Sequence, residues 1–316
     1  MAAITASMVK ELRERTQAGM SDCKNALVEA EGDLDKAVEI ILKKGIVKAA
    51  SRAGRIATEG EVRTWLSPDA KRGVIVEVNC QTDFVARGED FKGFVSKVVD
   101  VASTLAHSGE ERADLGAQKF PGSDKTVDVV RQEMVAKTGE NTVVRRWDRL
   151  EAKDSGGYVH AYVHAGGKLA VLIHADAPSE AVAKNADFRS FVDDVAMQVC
   201  SMNPVVVAKE EVSQAMVDKQ REIFDAQMKE EPKQPPPAQW EKILDGKVAK
   251  WFTEVTLLGQ NSVVHPEGGT IDKIRQELGK KLGGEIKIVS FVRFGLGEGI
   301  EKKTDDLAAE VAKLTN

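Results

Sequence analysis

The sequence predicts an α+β fold, and three observations predict it. A unit of strand, strand, helix, helix and strand occurs twice along the chain. Three short amphipathic helices precede the first copy, and two longer ones interrupt the second. The expected organisation is an N-terminal three-helix (UBA-like) domain over 1–47, a linker over 48–58, and duplicated α/β core subdomains over 59–152 and 153–294. An antiparallel helical hairpin of coiled-coil type is inserted in the second subdomain over 209–255, and a C-terminal helical module follows over 295–316.

The first helix carries Met8, Val9 and Leu12 on one face, with Thr5 as its N-cap. The second begins at Ser21 or Asp22, gathers Ala26, Leu27 and Ala30, and stops at Gly32. Asp33 caps the third, whose stripe is Leu34, Ala37, Val38, Ile41 and Leu42, and Gly45 ends it. The polar, small-residue stretch Lys48 to Arg55 reads as a linker.

From Glu59 the pattern turns to strands. Glu61 to Leu66 and Val74 to Val78 pair across a turn at Ser67 to Gly73, and a helix follows with Phe91, Phe94, Val95, Val98 and Val101. Val85-Ala-Arg-Gly-Glu-Asp-Phe-Lys-Gly-Phe-Val95 returns 97 residues later as Val182-Ala-Lys-Asn-Ala-Asp-Phe-Arg-Ser-Phe-Val192, with six of eleven positions identical. A strand pair, Tyr158 to His174, precedes the second copy as Glu61 to Val78 precedes the first. Downstream, Thr126-Val-Asp-Val-Val-Arg-Gln-Glu133 returns 144 residues later as Thr270-Ile-Asp-Lys-Ile-Arg-Gln-Glu277. These lead into the strands Asn141 to Trp147 and Glu285 to Phe294.

The two offsets differ by 47 residues (144 against 97), which is the length of the insertion in the second copy. Lys209 to Lys229 reads as one helix, with Val212, Met216, Ile223 and Phe224 apolar. Trp240, Leu244, Val248, Trp251 and Val255 form the stripe of its partner. Between them, Glu230 to Pro237 holds four of the chain's nine prolines, which no helix crosses. A last short helix is expected from Asp305 to Leu314.

Composition narrows the function. With 42% hydrophobic and 30% charged residues the chain reads as an ordinary soluble, cytoplasmic protein. No apolar run approaches the roughly 18 residues of a membrane span, and no signal peptide opens the sequence. A formal charge of −5 argues against direct binding of nucleic acid, which favours a basic surplus. Cys23, Cys80 and Cys200 are too far apart for a metal knuckle and odd in number for a disulfide framework.

The segment Glu77-Val-Asn-Cys-Gln-Thr-Asp-Phe-Val-Ala-Arg87 sets Asp83 beside Phe84 where a strand gives way to a helix. Thr82 or Asp83 capping that helix, with Phe84 packed inward, is the structural reading. The second copy has Glu180-Ala181 at the equivalent positions. A pair that the fold required would stand in both copies, so the asymmetry points to work outside the fold.

His160 and His164 share one strand face, and His174 follows, but no carboxylate stands at ligand spacing and there is no His-Glu-x-x-His. Gly295 to Gly299 lacks the Lys-Ser/Thr of a phosphate loop, and Cys80 reads as a buried structural thiol. No metal and no cofactor are assigned.

Leu12-Arg-Glu-Arg-Thr-Gln-Ala-Gly-Met20-Ser-Asp-Cys-Lys24-Asn-Ala-Leu27 resembles the N-terminal signature of the translation elongation factor Ts family. The segment from Glu77 to Arg87 resembles the second signature of that family. Tyr162-Val-His164 resembles its Tyr-x-His motif, and Gly297 to Lys302 its C-terminal module. The likeness spans the chain in order. It implies a non-enzymatic guanine-nucleotide exchange factor for the GTPase elongation factor Tu. By the resemblance, the loop of Thr82, Asp83, Phe84 and Val85 inserts between helices of the GTPase domain near its Mg²⁺ site and so promotes GDP release. Leu12, Arg13, Met20 and Lys24 of the N-terminal bundle would dock on the same domain. His164 would lie near the nucleotide-binding region, and the C-terminal helix would embrace the domain. No nucleic acid or membrane partner is implied, and self-association stays open.

Two rivals stand beside this. A hydrolase or metalloenzyme would use the histidines of the second repeat, and one equivalent of bound zinc would favour it. A degenerate relative would bind elongation factor Tu without accelerating GDP release, against which the intact Thr82-Asp-Phe-Val85 argues.

Overall fold

In the computed structural model, residues 4–16, 19–41, 43, 55–106, 114–231 and 236–301 are described. The linker expected from Lys48 falls outside them up to residue 54, and so do Gly45, the centre of the proline-rich tip (232–235) and the helix expected from Asp305 to Leu314. The chain is a mixed helix and sheet protein. Its contacts divide it into two compact units, one drawing on Met1–Arg63, Val76–Trp147 and Gly295–Asn316, the other on Thr64–Ile75 and Asp148–Phe294.

Three helical stretches open the chain: α1 (Ala6–Thr16), α2 (Met20–Glu29) and α3 (34–41). Val9, Leu12, Cys23, Ala26, Leu27, Ala30, Ala37 and Ile41 close into one small core. Thr5 caps α1, its Oγ1 accepting from the Met8 amide at 3.3 Å, and Asp33 caps α3 through the amides of Asp35 and Lys36. The start of α2 differs from expectation. Gly19, extended at φ −62° and ψ 148°, is the N-cap, and Asp22 lies in the first turn, where a carboxylate suits the positive end of the helix dipole.

The two copies of the repeat share one element order. The first runs β1 (Glu59–Leu66), β2 (Arg72–Cys80), α4 (Asp83–Arg87), α5 (Glu89–Thr104), α6 (Val127–Thr138) and β3 (Thr142–Glu151), with sheet order β1-β2-β3. The second runs β4 (Gly157–His164), β5 (Leu169–Asp176), α7 (Glu180–Ala183), α8 (Ala186–Met202), α11 (Ile271–Leu282) and β6 (Lys287–Gly295), with order β4-β5-β6. Central β2 buries both faces over eight consecutive residues, as a strand covered on both sides must. In the second copy Val171, Ile173 and Ala175 of β5 pack on Phe188, Val192, Val195 and Val199 of α8, with Ile271 of α11 and Ile286 completing the core.

Local chemistry repeats with the elements. Thr126 caps α6 and Thr270 caps α11, each accepting from the amide three residues on, and left-handed Gly139 and Gly283 end the same two helices. Arg131 donates to Asp128 at 2.7 Å and to the Thr142 carbonyl at 2.9 Å. Its counterpart Arg275 donates to Asp272 at 3.0 Å and to the Ile286 carbonyl at 2.6 Å. Each arginine ties a helix to the strand it feeds.

The inserted hairpin consists of α9 (Gln214–Glu230) and α10 (Trp240–Val255). The single helix expected from Lys209 is divided: Lys209–Glu211 forms a 3₁₀ turn, and Ser213 caps a new helix by accepting from the Met216 amide at 3.3 Å. Glu231, which precedes a proline, leaves the helix at ψ 133°. Met228 of α9, fully buried and absent from the expected stripe, and Leu244 and Val248 of α10 are the buried side chains of these two helices. Trp240 donates its indole N–H to Asp225 at 2.8 Å, and Arg221 reaches Asp245 at 2.6 Å. No helix among the described residues is long and apolar enough to cross a membrane.

Candidate functional site

The site grows from the end of β2. The buried strand stops at Cys80, and Gln81 and Thr82 turn the chain into α4. Thr82 is the N-cap: its Oγ1 accepts from the Val85 amide at 3.4 Å. Of the two capping residues the sequence allowed, the threonine takes the role. Asp83 is left on the surface, where it pairs with Arg87 one turn on at 2.9 Å. No residue of α4 is buried.

Phe84 does not pack inward. It is 83% exposed, the most exposed large hydrophobic side chain among the described residues. The second copy is an internal control. Ser179 caps α7 as Thr82 caps α4, accepting from the Val182 amide at 3.3 Å, and Ala181 occupies the position of Phe84. The turn forms without the ring, so local structure does not account for Phe84. An aromatic side chain standing in water forgoes about 1.5–3 kcal/mol of burial, which makes the ring a candidate contact for another molecule.

Thr82 is gripped from outside its own helix. The Glu140 carboxylate, next to the Gly139 cap of α6, accepts from the Thr82 amide at 3.0 Å and the Thr82 hydroxyl at 2.7 Å. The Asn141 amide donates to the Gln81 side chain at 2.8 Å. Sequence reasoning missed Glu140, which is 58 residues from Thr82 and belongs to no motif.

It also gave Glu77 no role. This fully buried carboxylate on β2 accepts from Arg145, from Arg146 at 2.5 Å, from Asn79 at 3.1 Å and from the Gly297 amide at 2.8 Å. Burial acts to raise its pKa, but those donors together outweigh it and hold the carboxyl below the ordinary glutamate range. The glycine-rich turn after β6 thus presents its amide to a carboxylate of the protein itself. Cys80, three residues on, is buried, and burial with the nearby Glu140 and Glu59 carboxylates pushes its thiol up to about 12.

The other residues singled out in the sequence are placed as follows. Leu12 is fully buried in the bundle core, while Arg13 and Lys24 are exposed and Met20 is half-exposed. On α2, Met20, Lys24 and Val28 recur every four residues along one open face, and Val28 was not anticipated. His164 lies in the other unit, exposed at the end of β4, its Nδ1 3.1 Å from the Tyr162 hydroxyl. His160 pairs at 2.9 Å with Asp193, which the fold brings from 33 residues away, and His174 pairs at 3.1 Å with Asp176, two residues along the same strand. Among the described residues no group of three or more His, Cys, Asp or Glu is placed to hold a metal ion.

Comparison with known proteins adds a family to this geometry. A family model described as Elongation factor TS matches residues 81–298. The chain is 44% identical over 314 residues to Elongation factor Ts of a Clostridium perfringens Type A strain, covering 98% of this chain and 99% of that protein. It is 44% identical over 311 residues to Elongation factor Ts of a Nitratiruptor species, covering 98% of each.

Proposed function

The chain belongs to the elongation factor Ts family, and on that premise we propose that it is the guanine-nucleotide exchange factor for elongation factor Tu in translation elongation. The observation that carries the mechanism is Phe84, exposed at the start of a capped helix whose duplicate does without it.

A translational GTPase holds GDP through a cradle of phosphate contacts and a bridging Mg²⁺. Inserting the Phe84 ring and the Asp83 carboxylate beside that cradle displaces the elements that hold the metal. The factor gains this binding energy only in the partner conformation that grips nucleotide poorly. Linkage makes the effect reciprocal: nucleotide weakens binding of the factor by the factor's own effect on nucleotide. Such a protein needs no catalytic side chain, cofactor or metal of its own.

Thr82 and Val85 frame the inserted pair. Arg13, Met20 and Lys24 supply docking contacts from the bundle, with Leu12 acting from within by holding α1 against α2. His164 contributes a separate contact from the end of β4.

The test is release of fluorescent GDP from elongation factor Tu. Wild-type protein is expected to accelerate release strongly. Phe84→Ala is expected to lose about ten- to a hundredfold, the equivalent of burying one phenyl ring. Full acceleration by Phe84→Ala would move the mechanism away from this ring. Tight complex formation with no acceleration by the wild type would leave a partner-binding role only.

A further inference from the structure

We propose that Glu140 is a positioning residue for exchange: by gripping Thr82 it holds α4 in the orientation that presents Asp83 and Phe84 to the partner. This rests on the reading of Phe84 given above.

A helix of five residues with no buried side chain has little packing to set its direction. Its direction must come from its first residue and what holds that residue. Both oxygens of Glu140 are used on Thr82, at 3.0 Å on the amide and 2.7 Å on the hydroxyl. Charge-assisted bonds of this length are among the stronger polar contacts. With the hydroxyl proton committed to Glu140, a lone pair of Oγ1 is turned to the Val85 amide, which it accepts at 3.4 Å. The neighbouring Asn141–Gln81 bond at 2.8 Å makes the grip two residues wide on each side. The brace is therefore rigid at the point where the strand ends and the presented helix begins.

The second copy separates this role from a general need of the fold. At the repeat offsets, Thr82 corresponds to Ser179, Gln81 to Pro178 and Glu140 to Gly284. There the same two loops approach by direct contact. A Cβ on Gly284 would stand 2.5 Å from the Pro178 Cβ, so that position admits no side chain. Ser179 still caps its short helix. The carboxylate brace and the projecting ring thus occur together in one copy and are absent together from the other.

The experiment is a double-mutant cycle on GDP release from elongation factor Tu, using Glu140→Ala, Phe84→Ala and the pair, with Glu140→Gln as the isosteric variant. Glu140→Ala is expected to slow release about tenfold at subsaturating factor, the scale of one hydrogen bond to a charged group, and to slow it by less in the Phe84→Ala background, where only Asp83 is left to position. Glu140→Gln, which keeps one acceptor, is expected to fall between Glu140→Ala and wild type. Hydrogen exchange of residues 81–87 in the free protein should quicken in Glu140→Ala while thermal melting stays near wild type. Wild-type exchange by Glu140→Ala, or equal slowing in both backgrounds, would overturn the proposal while leaving Phe84 in its role. If Phe84→Ala itself exchanges like wild type, the reading of Phe84 fails and this one with it.

Discussion

Arg145 sets a single Nη1 between the two carboxylate oxygens of Glu77, at 2.9 and 3.1 Å. Arg146 approaches the same group from the next position on β3, and the Gly297 amide closes it at 2.8 Å. A carboxylate without solvent contact is thereby shared by the strand that leads to α4, by β3 and by the turn after β6. A buried charge is tolerable only when its donors are this complete.

An amide in place of the carboxylate keeps the volume but removes the charge and turns an NH2 group toward one of the two guanidinium groups. Glu77→Gln is expected to destabilise the protein by about 2–4 kcal/mol in urea unfolding at pH 7. The pH dependence follows from the lowered pKa. The folded value lies below the unfolded one, so the contribution is complete above the ordinary glutamate range near pH 4.3 and is lost as pH falls through the folded value. Between pH 7 and 5 the wild-type midpoint should hold on this account, and below about pH 4 it should fall more steeply than that of Glu77→Gln. Parallel curves would show that Glu77 is not the titrating group.

Phe84 should contribute almost nothing to the folded state. With the ring 83% exposed, Phe84→Ala is expected to change unfolding free energy by no more than about 0.5 kcal/mol. Phe91, seven residues on and 1% exposed, provides the contrast: Phe91→Ala should cost about 3–5 kcal/mol. Calorimetry of the two variants gives the comparison, and a large loss in Phe84→Ala would mean that the ring is structural.

The hairpin rests on few side chains. Met228→Ala removes its one fully buried residue and is expected to cost about 2–4 kcal/mol locally. Amides of α9 and α10 should then exchange faster with solvent while those of β5 keep their protection. Uniform acceleration would show that the hairpin and the sheet unfold as one.

Cys80 should be inert while the protein is folded. With its thiol pushed up to about 12, only about 1% is thiolate even at pH 10, so its alkylation by iodoacetamide should stay far slower than that of an ordinary cysteine throughout pH 7 to 10. In urea the same thiol should follow the ordinary cysteine value near 8.5. Rapid native labelling at pH 8, mapped to Cys80 by peptide mass, would contradict its burial.

The elements were legible wherever periodicity and caps agreed. Thr5 and Asp33 were each readable as a cap, because an N-cap is a matter of three or four neighbouring residues, whereas Thr126 and Thr270 stood out only as members of the repeat until the structure showed them capping. Local rules failed where two answers were locally equivalent. Gly19 and Ser21 both suit a helix start, and the Lys209 to Lys229 stretch reads as continuous until the Ser213 side chain closes on Met216. Met228, four residues after Phe224 and so on the face of the expected stripe, was missed although its spacing was readable.

At the candidate site, the difference between the two copies was enough to set Phe84 apart, since the chain carries its own comparison. Duplication, element order and the capped turn are encoded over short spans, so the sequence alone determined them. Exposure of the ring, the choice of Thr82 over Asp83 as the cap, the Glu140 brace and the Glu77 cluster were decided only by tertiary structure. The reason is distance along the chain. Glu140 is 58 residues from Thr82 and Gly297 is 220 from Glu77, and no local propensity reports which distant donor will meet a given carboxylate once the strands have paired.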